Sequence, residues 1–470
     1  MKKILSLILI GFVAANFVLA QTDSDSEGTE EKSDVTRLSI DEAVSYALAH
    51  SRTLKSSDID LEMAERASKN SWNVFLPNVQ VTGTMMRSTE VSPQYSQAGI
   101  KDYPNEESRW DTIGGLSASW NFTPAYIAQI RIAKVQYESG KISWEQSQRE
   151  TITNIKKAYY GLLLQQESLS IQKTTLENAR QRMIQAETNF RNGSIPEIQY
   201  LQTQVNYENT KPDVDSAEQS LSQQMDLFAF LLGMPVGVKI ELTSPIEPVF
   251  VDVDTETLLA KYADNNLQIQ ALEKNKLALR LGITAGDLAT WIPTLAVNYN
   301  WSPMYVNGSS MGLATGNAKA FGFMGDIGSD EKWYDSGSLT LTLAWNITNM
   351  LPWSSNRQKV KDNKQQLAQL ELAIESLKEN QKVEVRKAVD TLNQAKEQIN
   401  AMDRNVSLAQ RAFDMTTRSY RNGTTELLDL RDAESSLNQA KLGQLNQKFQ
   451  YISALMDLEN TLNVNLTEKK

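Results

Sequence analysis

Leu339-Thr340-Leu341-Thr342-Leu343-Ala344-Trp345-Asn346-Ile347 alternates large apolar side chains with small or polar ones. A strand turns successive side chains to opposite faces, so this segment presents one apolar and one wettable surface. Three further segments read the same way. In 78–87, Val79, Val81, Gly83 and Met85 alternate with Gln80, Thr82 and Thr84. In 115–123, Leu116, Ala118, Trp120 and Phe122 alternate with Ser117, Ser119 and Asn121. In 294–301, Leu295, Val297, Tyr299 and Trp301 alternate with Ala296, Asn298 and Asn300. Any one segment also fits a half-buried sheet of a water-soluble protein. Together, four segments of roughly the 9–11 residues that cross a bilayer when tilted, with aromatics near their ends, point to a transmembrane barrel. Four strands cannot close one, because about eight are needed to enclose filled space. A lone chain would leave two raw sheet edges in hydrocarbon, so the expectation is a barrel shared by several chains.

The strands come in pairs because the chain is a tandem duplication. Phe75-Leu76-Pro77 returns as Trp291-Ile292-Pro293, 293 − 77 = 216 residues on. Trp120-Asn121 returns as Trp345-Asn346, an offset of 345 − 120 = 225. Phe190-Arg191-Asn192-Gly193 returns as Tyr420-Arg421-Asn422-Gly423, an offset of 423 − 193 = 230. The offset grows in steps, as when a second copy carries longer loops. The repeated unit is large, unlike the short period of a solenoid. The expected organisation is a signal peptide (1–20), a disordered acidic tail (21–36), a first repeat (37–240) and a second repeat (241–470). The first holds strands 78–87 and 115–123 and helices 126–191 and 195–232; the second holds strands 294–301 and 338–347 and helices 356–421 and 425–463. The intervening stretches 88–113 and 302–338 are rich in Gly, Ser and Asp and read as loops.

The helices are unusually long. From Trp353 to Lys470 there is no proline, and glycine occurs only at Gly423 and Gly443. A helix over 356–421 would run about 100 Å at 1.5 Å per residue. Leu392, Ala395, Ile399, Met402, Val406, Ala409, Phe413, Thr416 and Tyr420 step alternately by three and four, the period of a coiled-coil seam. Leu176, Ala179, Met183, Ala186 and Phe190 take the matching register in the first repeat. Such a stripe reads as packing surface. Gly193 and Gly423 mark hairpin turns, since glycine just past a helix end permits the left-handed residue that closes it. Ser194 and Thr424 then become candidates to cap the following helices. Pro212 is expected to kink the helix that carries it.

Composition narrows the function classes. Lys+Arg total 47 against 57 for Asp+Glu, a net charge of −10, which argues against nucleic acid as a partner. The absence of cysteine excludes disulfides, thiolate nucleophiles, Fe–S clusters and Cys zinc sites. One histidine, His50, excludes multi-histidine metal sites. No enzymatic activity and no cofactor are expected. Lys2 and Lys3, the apolar run Ile4–Val18 and the small residue Ala20 form a secretory signal. An uncleaved anchor is the alternative, but the segment is short for a helical span of about 20 residues. The best later apolar run, Met225 to Val236, is shorter still.

Several motifs, in order, resemble the outer membrane efflux protein family, the TolC-like channels. They are Leu38-Ser39-Ile40-Asp41-Glu42-Ala43-Val44, Phe75-Leu76-Pro77, Leu231-Leu232-Gly233-Met234-Pro235, and Tyr420-Arg421-Asn422-Gly423-Thr424 followed by Leu428-Asp429 and Asp432-Ala433. The resemblance implies a mainly α fold in which four strands per chain enter a twelve-stranded barrel of a homotrimer. A coiled-coil α-helical tunnel would cross the periplasm from the outer membrane of a diderm bacterium, with a mixed belt at its middle. The implied partners are outer membrane lipid, a periplasmic adaptor and an inner-membrane pump or ABC exporter. The implied function is the exit duct for drug efflux or type I secretion.

The tip carries the candidate site. Asp429 and Asp432 are three apart on a helix, so their carboxylates share a face. Spacing alone also fits a solvated surface pair. The resemblance makes them a ring of carboxylates at the entrance, one that selects cations and can bind a blocking divalent cation. It also makes Tyr420 a residue that holds the tip closed. Thr425 stands where the family has a latching arginine, and Gln199 where it has the aspartate that arginine reaches. The charged latch is therefore expected to be absent, leaving a weaker closure or one that uses hydrogen bonds of Gln199 and Tyr420. Two other classes remain in view: a periplasmic coiled-coil scaffold or adaptor without a pore, and a secreted hydrolase using a carboxylate pair.

Overall fold

The computed structural model describes residues 36–90, 109–306, 332–334 and 337–467. The signal segment, the acidic tail apart from Thr36, and the middles of both long loops lie outside the described residues. The element order is β1 (Thr36–Leu38), α1 (Ile40–His50), α2 (Arg52–Lys69), β2 (Asn78–Arg87), β3 (Trp110–Phe122), α3 (Ala125–Arg191), α4 (Glu197–Leu232), β4 (Ile240–Leu242), α5 (Thr255–Tyr262), α6 (Leu267–Trp291), β5 (Thr294–Trp301), β6 (Met304–Val306), β7 (Lys332–Tyr334), β8 (Gly337–Ala344), α7 (Ser355–Arg421) and α8 (Leu427–Leu462).

The duplication is metrical. Helices α3 and α7 each have 67 residues, and α4 and α8 each have 36. All four boundaries repeat at one offset: 355 − 125, 421 − 191, 427 − 197 and 462 − 232 each equal 230. At 1.5 Å per residue, α3 and α7 run about 100 Å. Pro212 does not end α4, which continues through it to Leu232. Neither Ser194 nor Thr424 caps the next helix. The N-cap positions are Pro196 and Glu426, without a side-chain bond, and Thr424 Oγ1 instead donates back to the Ser419 carbonyl at 3.1 Å. The turn was wound two residues further on than a cap at 194 or 424 would allow.

The strands form one antiparallel sheet. β2 pairs β3, β3 pairs β5 and β5 pairs β8, while the short β6 and β7 prolong β5 and β8. Sequence composition had assigned 109–113 and 304–306 to loops. Backbone pairing overrides it: Trp110–Gly115 lies along Thr82–Arg87, and β6 lies against Thr112 and Ile113. At the other end Ile347 leaves the strand for a 3-10 turn, Ile347–Met350.

Register sorts the residues into two faces. Val79, Ala118, Tyr299 and Leu339 form one row across the sheet, and Val81, Leu116, Trp301 and Gly337 the next. The opposite face carries the rows Asn78–Ser119–Asn298–Thr340 and Gln80–Ser117–Asn300–Ser338. The apolar rows are uncovered: Val81 is 79% exposed and Leu343 70%. β2 and β8 each pair along one side only, so the sheet is open at both edges.

Between sheet and helix tips lies a belt with two cores. In the first, Tyr159, Phe228 and Leu232 pack with Leu38, Ala43 and Ala47. The Tyr159 hydroxyl donates to the Leu38 carbonyl at 2.8 Å and accepts from the amides of Thr243 and Ser244 at 3.0 Å, so one buried phenol holds β1 and the strand-β4 exit onto α3. In the second, Leu392 and Ile399 of the seam pack with Tyr451, Leu455 and Leu458, and the Tyr451 hydroxyl accepts from Val251 N–H at 2.9 Å. Burial pushes the Tyr451 phenol above its ordinary pKa. Helix α1 begins with a capping box: the Ser39 hydroxyl accepts from Glu42 N–H at 3.3 Å while Ser39 N–H donates to Glu42 Oε2 at 2.7 Å. The Ser39 amide, then its hydroxyl, hold Glu42 below the usual carboxylate range. This contribution to stability is therefore full above the ordinary glutamate pKa and fades as pH falls through the depressed value.

Tyr159→Phe removes the hydroxyl that these two amides and the carbonyl share. It should destabilise the fold by about 2 kcal/mol, read as a lower denaturation midpoint in detergent, because buried polar groups lose their partner.

Candidate gate at the helical tip

Both hairpins end in the same device. Gly193 (φ +70°) and Gly423 (φ +72°) are left-handed. Gly193 N–H donates to the Phe190 carbonyl at 2.9 Å and Ser194 N–H to that of Asn189 at 2.8 Å. Gly423 N–H donates to Tyr420 O at 3.0 Å and Thr424 N–H to Ser419 O at 3.0 Å. These paired bonds satisfy the last free carbonyls of helices α3 and α7 and reverse the chain within five residues. In the first hairpin the Phe190 and Tyr200 rings stack across the turn with centroids 5.8 Å apart.

The structure places the sequence-derived residues around these turns. Asp429 lies in the first turn of α8 and Asp432 three residues on, and both are exposed. A carboxylate in the first helical turn is favoured by the helix dipole. Gln199 is exposed in the first turn of α4, while Tyr420 and Thr425 are half-buried. Within one chain, no hydrogen bond joins the Tyr420, Thr425 and Gln199 side chains to one another. Nor does one chain gather a metal site: among the described residues, no group of three or more His, Cys, Asp or Glu could hold an ion.

A charged contact does exist close to the tip, at residues the sequence reading passed over. Arg182 of α3 donates to Glu434 of α8 at 2.5 Å, and Asn178 Nδ2 donates to the other carboxylate oxygen at 2.8 Å. The Arg182 and Glu434 side chains are only 11% and 7% exposed. One turn further from the tip, Asn438 Nδ2 donates to Thr175 Oγ1 at 2.9 Å. The signal was present but faint: Leu430, Glu434, Leu437 and Ala440 are the buried stripe of α8, so a charge occupies a seam position. Such a position tolerates a carboxylate only when a cation and donors meet it there. The pair fixes α8 to α3 two residues from Asp432.

The family model for outer membrane efflux proteins matches residues 43–233 and 258–464. A relative of known sequence, nodulation protein T of Rhizobium leguminosarum bv. trifolii, is 22% identical over 414 residues, 86% of this chain and 82% of that protein. The fold is similar to the Campylobacter jejuni CmeC outer membrane channel, with a TM-score of 0.70, 16% identity and coverage of 92% of this chain and 87% of that one. It is also similar to the outer membrane protein VceC of Vibrio cholerae, with a TM-score of 0.66, 15% identity and coverage of 91% and 96%. The open state of the Neisseria gonorrhoeae MtrE outer membrane channel gives a TM-score of 0.64 at 18% identity, over 91% and 89% of the two chains.

Replacing Arg182 with alanine strands the buried Glu434 charge and should cost about 3–5 kcal/mol of stability. The exchange Arg182→Glu with Glu434→Arg should recover part of it. Thermal unfolding of the solubilised protein checks both.

Proposed function

The chain belongs to the outer membrane efflux protein family, a family of channels rather than of enzymes, and from that premise we propose that three copies form one continuous duct from periplasm to exterior. Residues 1–20 direct export and are removed, and the mature chain starts with an acidic tail. Four strands from each copy build a twelve-stranded barrel in the outer membrane. The long hairpins of the three copies build a periplasmic tunnel, and the belt encircles its middle. The observation that carries this reading is the sheet: an uncovered apolar face, a polar face of Asn, Ser and Thr, and two unpaired edges. Lipid satisfies the first, water in a bore the second, and neighbouring copies the third. A scaffold without a pore leaves all three unexplained. Among the described residues no helix is long and apolar enough to cross a membrane, so insertion rests on the strands.

The duct does no chemistry. At its periplasmic end it docks on a periplasmic adaptor, which couples it to an inner-membrane pump or ABC exporter, and small toxic molecules or proteins pass through. Six carboxylates, Asp429 and Asp432 from each copy, ring the entrance. They favour cations electrostatically and give a divalent cation a place to bind. Tyr420, Thr425 and Gln199 contact neighbouring copies there. Reconstitution in planar lipid should give single-channel conductance from a cross-linkable trimer. A monomeric, silent preparation would refute the proposal.

Asp429→Ala with Asp432→Ala should shift the reversal potential toward non-selectivity and abolish block by divalent cations from the periplasmic side. Unchanged block would remove these residues from the gate.

A further inference from the structure

Just beyond the sheet the chain changes its charge. The whole sequence is acidic, with 47 basic residues against 57 acidic ones, yet the opening of each long helix is basic. Residues 125–134 of α3 carry Arg131 and Lys134 and no acid. Residues 355–364 of α7 carry Arg357, Lys359, Lys361 and Lys364 against Asp362 alone. The pattern belongs to the repeated unit, since 361 − 131 and 364 − 134 both equal 230, the offset of the helices themselves. Arg131, Lys134, Lys359, Lys361 and Lys364 are exposed, and among the described residues none of them forms an ion pair. Arg357 is held differently: it donates to Asp287 at 3.3 Å, and its guanidinium lies 5.9 Å from the centre of the Trp291 ring.

These cations do nothing for the helices that carry them. The opening turns of a helix favour acids over bases, and neither α3 nor α7 has an acid in its first turn. Their place in the fold is what gives them meaning. Between them and the sheet lies a level of uncovered apolar side chains, Trp291, Ile347, Trp353 and Ile127, with Trp353 72% and Ile127 54% exposed. Ile127, Arg131 and Lys134 step by four and three, so they share one stripe of α3, and Arg357, Lys361 and Lys364 repeat that stripe on α7. Residues six and nine positions into a helix stand about 9–14 Å along it. Helical side chains lean toward the N-terminus, here the sheet end, so the long Arg and Lys chains reach back toward the apolar level.

Apolar wall, aromatic level and cations thus follow one another along each unit. A bilayer has the same layers in the same order: hydrocarbon, interface, then headgroups, which add about 5–8 Å on each side. We propose that Arg131, Lys134, Lys361 and Lys364 form a collar that binds the phosphates of anionic phospholipids in the periplasmic leaflet of the outer membrane. The inference rests on insertion of the strands in lipid, and not on the trimer or the gate. Phosphate oxygens accept from guanidinium and ammonium donors alike, and the apolar level beside the collar meets the acyl chains. The collar sets how far the helices project from the membrane. A shift one way drags charge into hydrocarbon, and a shift the other way pulls the aromatic level into water.

The intact protein in nanodiscs of phosphatidylcholine, with and without phosphatidylglycerol, tests this. Phosphatidylglycerol should raise the midpoint of thermal unfolding, and added salt should shrink that gain. The variant Arg131→Gln, Lys134→Gln, Lys361→Gln and Lys364→Gln should lose most of the gain. Lys211→Gln, Arg404→Gln, Arg411→Gln and Arg418→Gln together remove the same charge from exposed positions toward the tip and should keep it. A gain that survives the first four glutamines overturns the collar and leaves its cations to an acidic protein partner. A gain that salt does not touch, or that the second four abolish equally, overturns it too, the salt series needing no variant to fold. An equal gain from inorganic phosphate in phosphatidylcholine alone makes the site one for soluble anions and overturns the lipid assignment. A chain that fails to enter the discs overturns the membrane-inserted sheet itself.

Discussion

Backbone amides and carbonyls that enter hydrocarbon must find partners, and at an open sheet edge one chain cannot provide them. The rest of the architecture answers to this constraint. Each unit contributes one hairpin, two units contribute two, and the two hairpins meet through β3 and β5, which leaves the outer edges of β2 and β8 open. The demand for a neighbour is thus built into the half of the molecule that meets lipid. The helical half also leaves apolar side chains uncovered, among them Leu201 on α4 and Leu408 and Met415 on α7.

Duplication joins two like units, each a strand pair with a long helical hairpin, inside one chain. The helical junction between them carries charge as well as apolar packing. Arg182, Asn178 and Glu434 form a buried network inside the chain, while Leu408, Ala412 and Gln204 occupy the equivalent places. A buried ion pair adds little net stability over an apolar contact, but it penalises wrong registers heavily. That suits a junction that must form once, during folding, in a single alignment.

The tip combines a firm backbone with free side chains. Each hairpin closes through a left-handed glycine and paired amide bonds, so the turn itself is stiff. Asp429 and Asp432 project from it without in-chain partners, and the buried brace at Glu434 holds α8 just behind them. Charge presented from a braced helix end stays where an ion can meet it.

Much of this was legible in the order of residues. Alternation in 78–87 and 339–343 identified strands, because the side-chain period of a strand leaves its mark directly on composition. The duplicated Asn-Gly pairs identified the turns, and the absence of proline identified the long helices. The extension of β3 from Gly114 back to Trp110 was not legible, because its composition continues that of the loop before it; partners in β2 and β6 impose it. Nor were the caps at 194 and 424, displaced by bonds back to the preceding helix. The roles of Tyr159 and Glu434 also escaped, since each acquires its meaning from groups 84 to 256 residues away in the chain. Local pattern determined what the elements are, as periodicity and turn chemistry act over a few residues. Which side chains meet across elements, and so where the chain is braced and where it is left open for a neighbour, only the three-dimensional packing decided, because burial and pairing are properties of surfaces that the sequence brings together from afar.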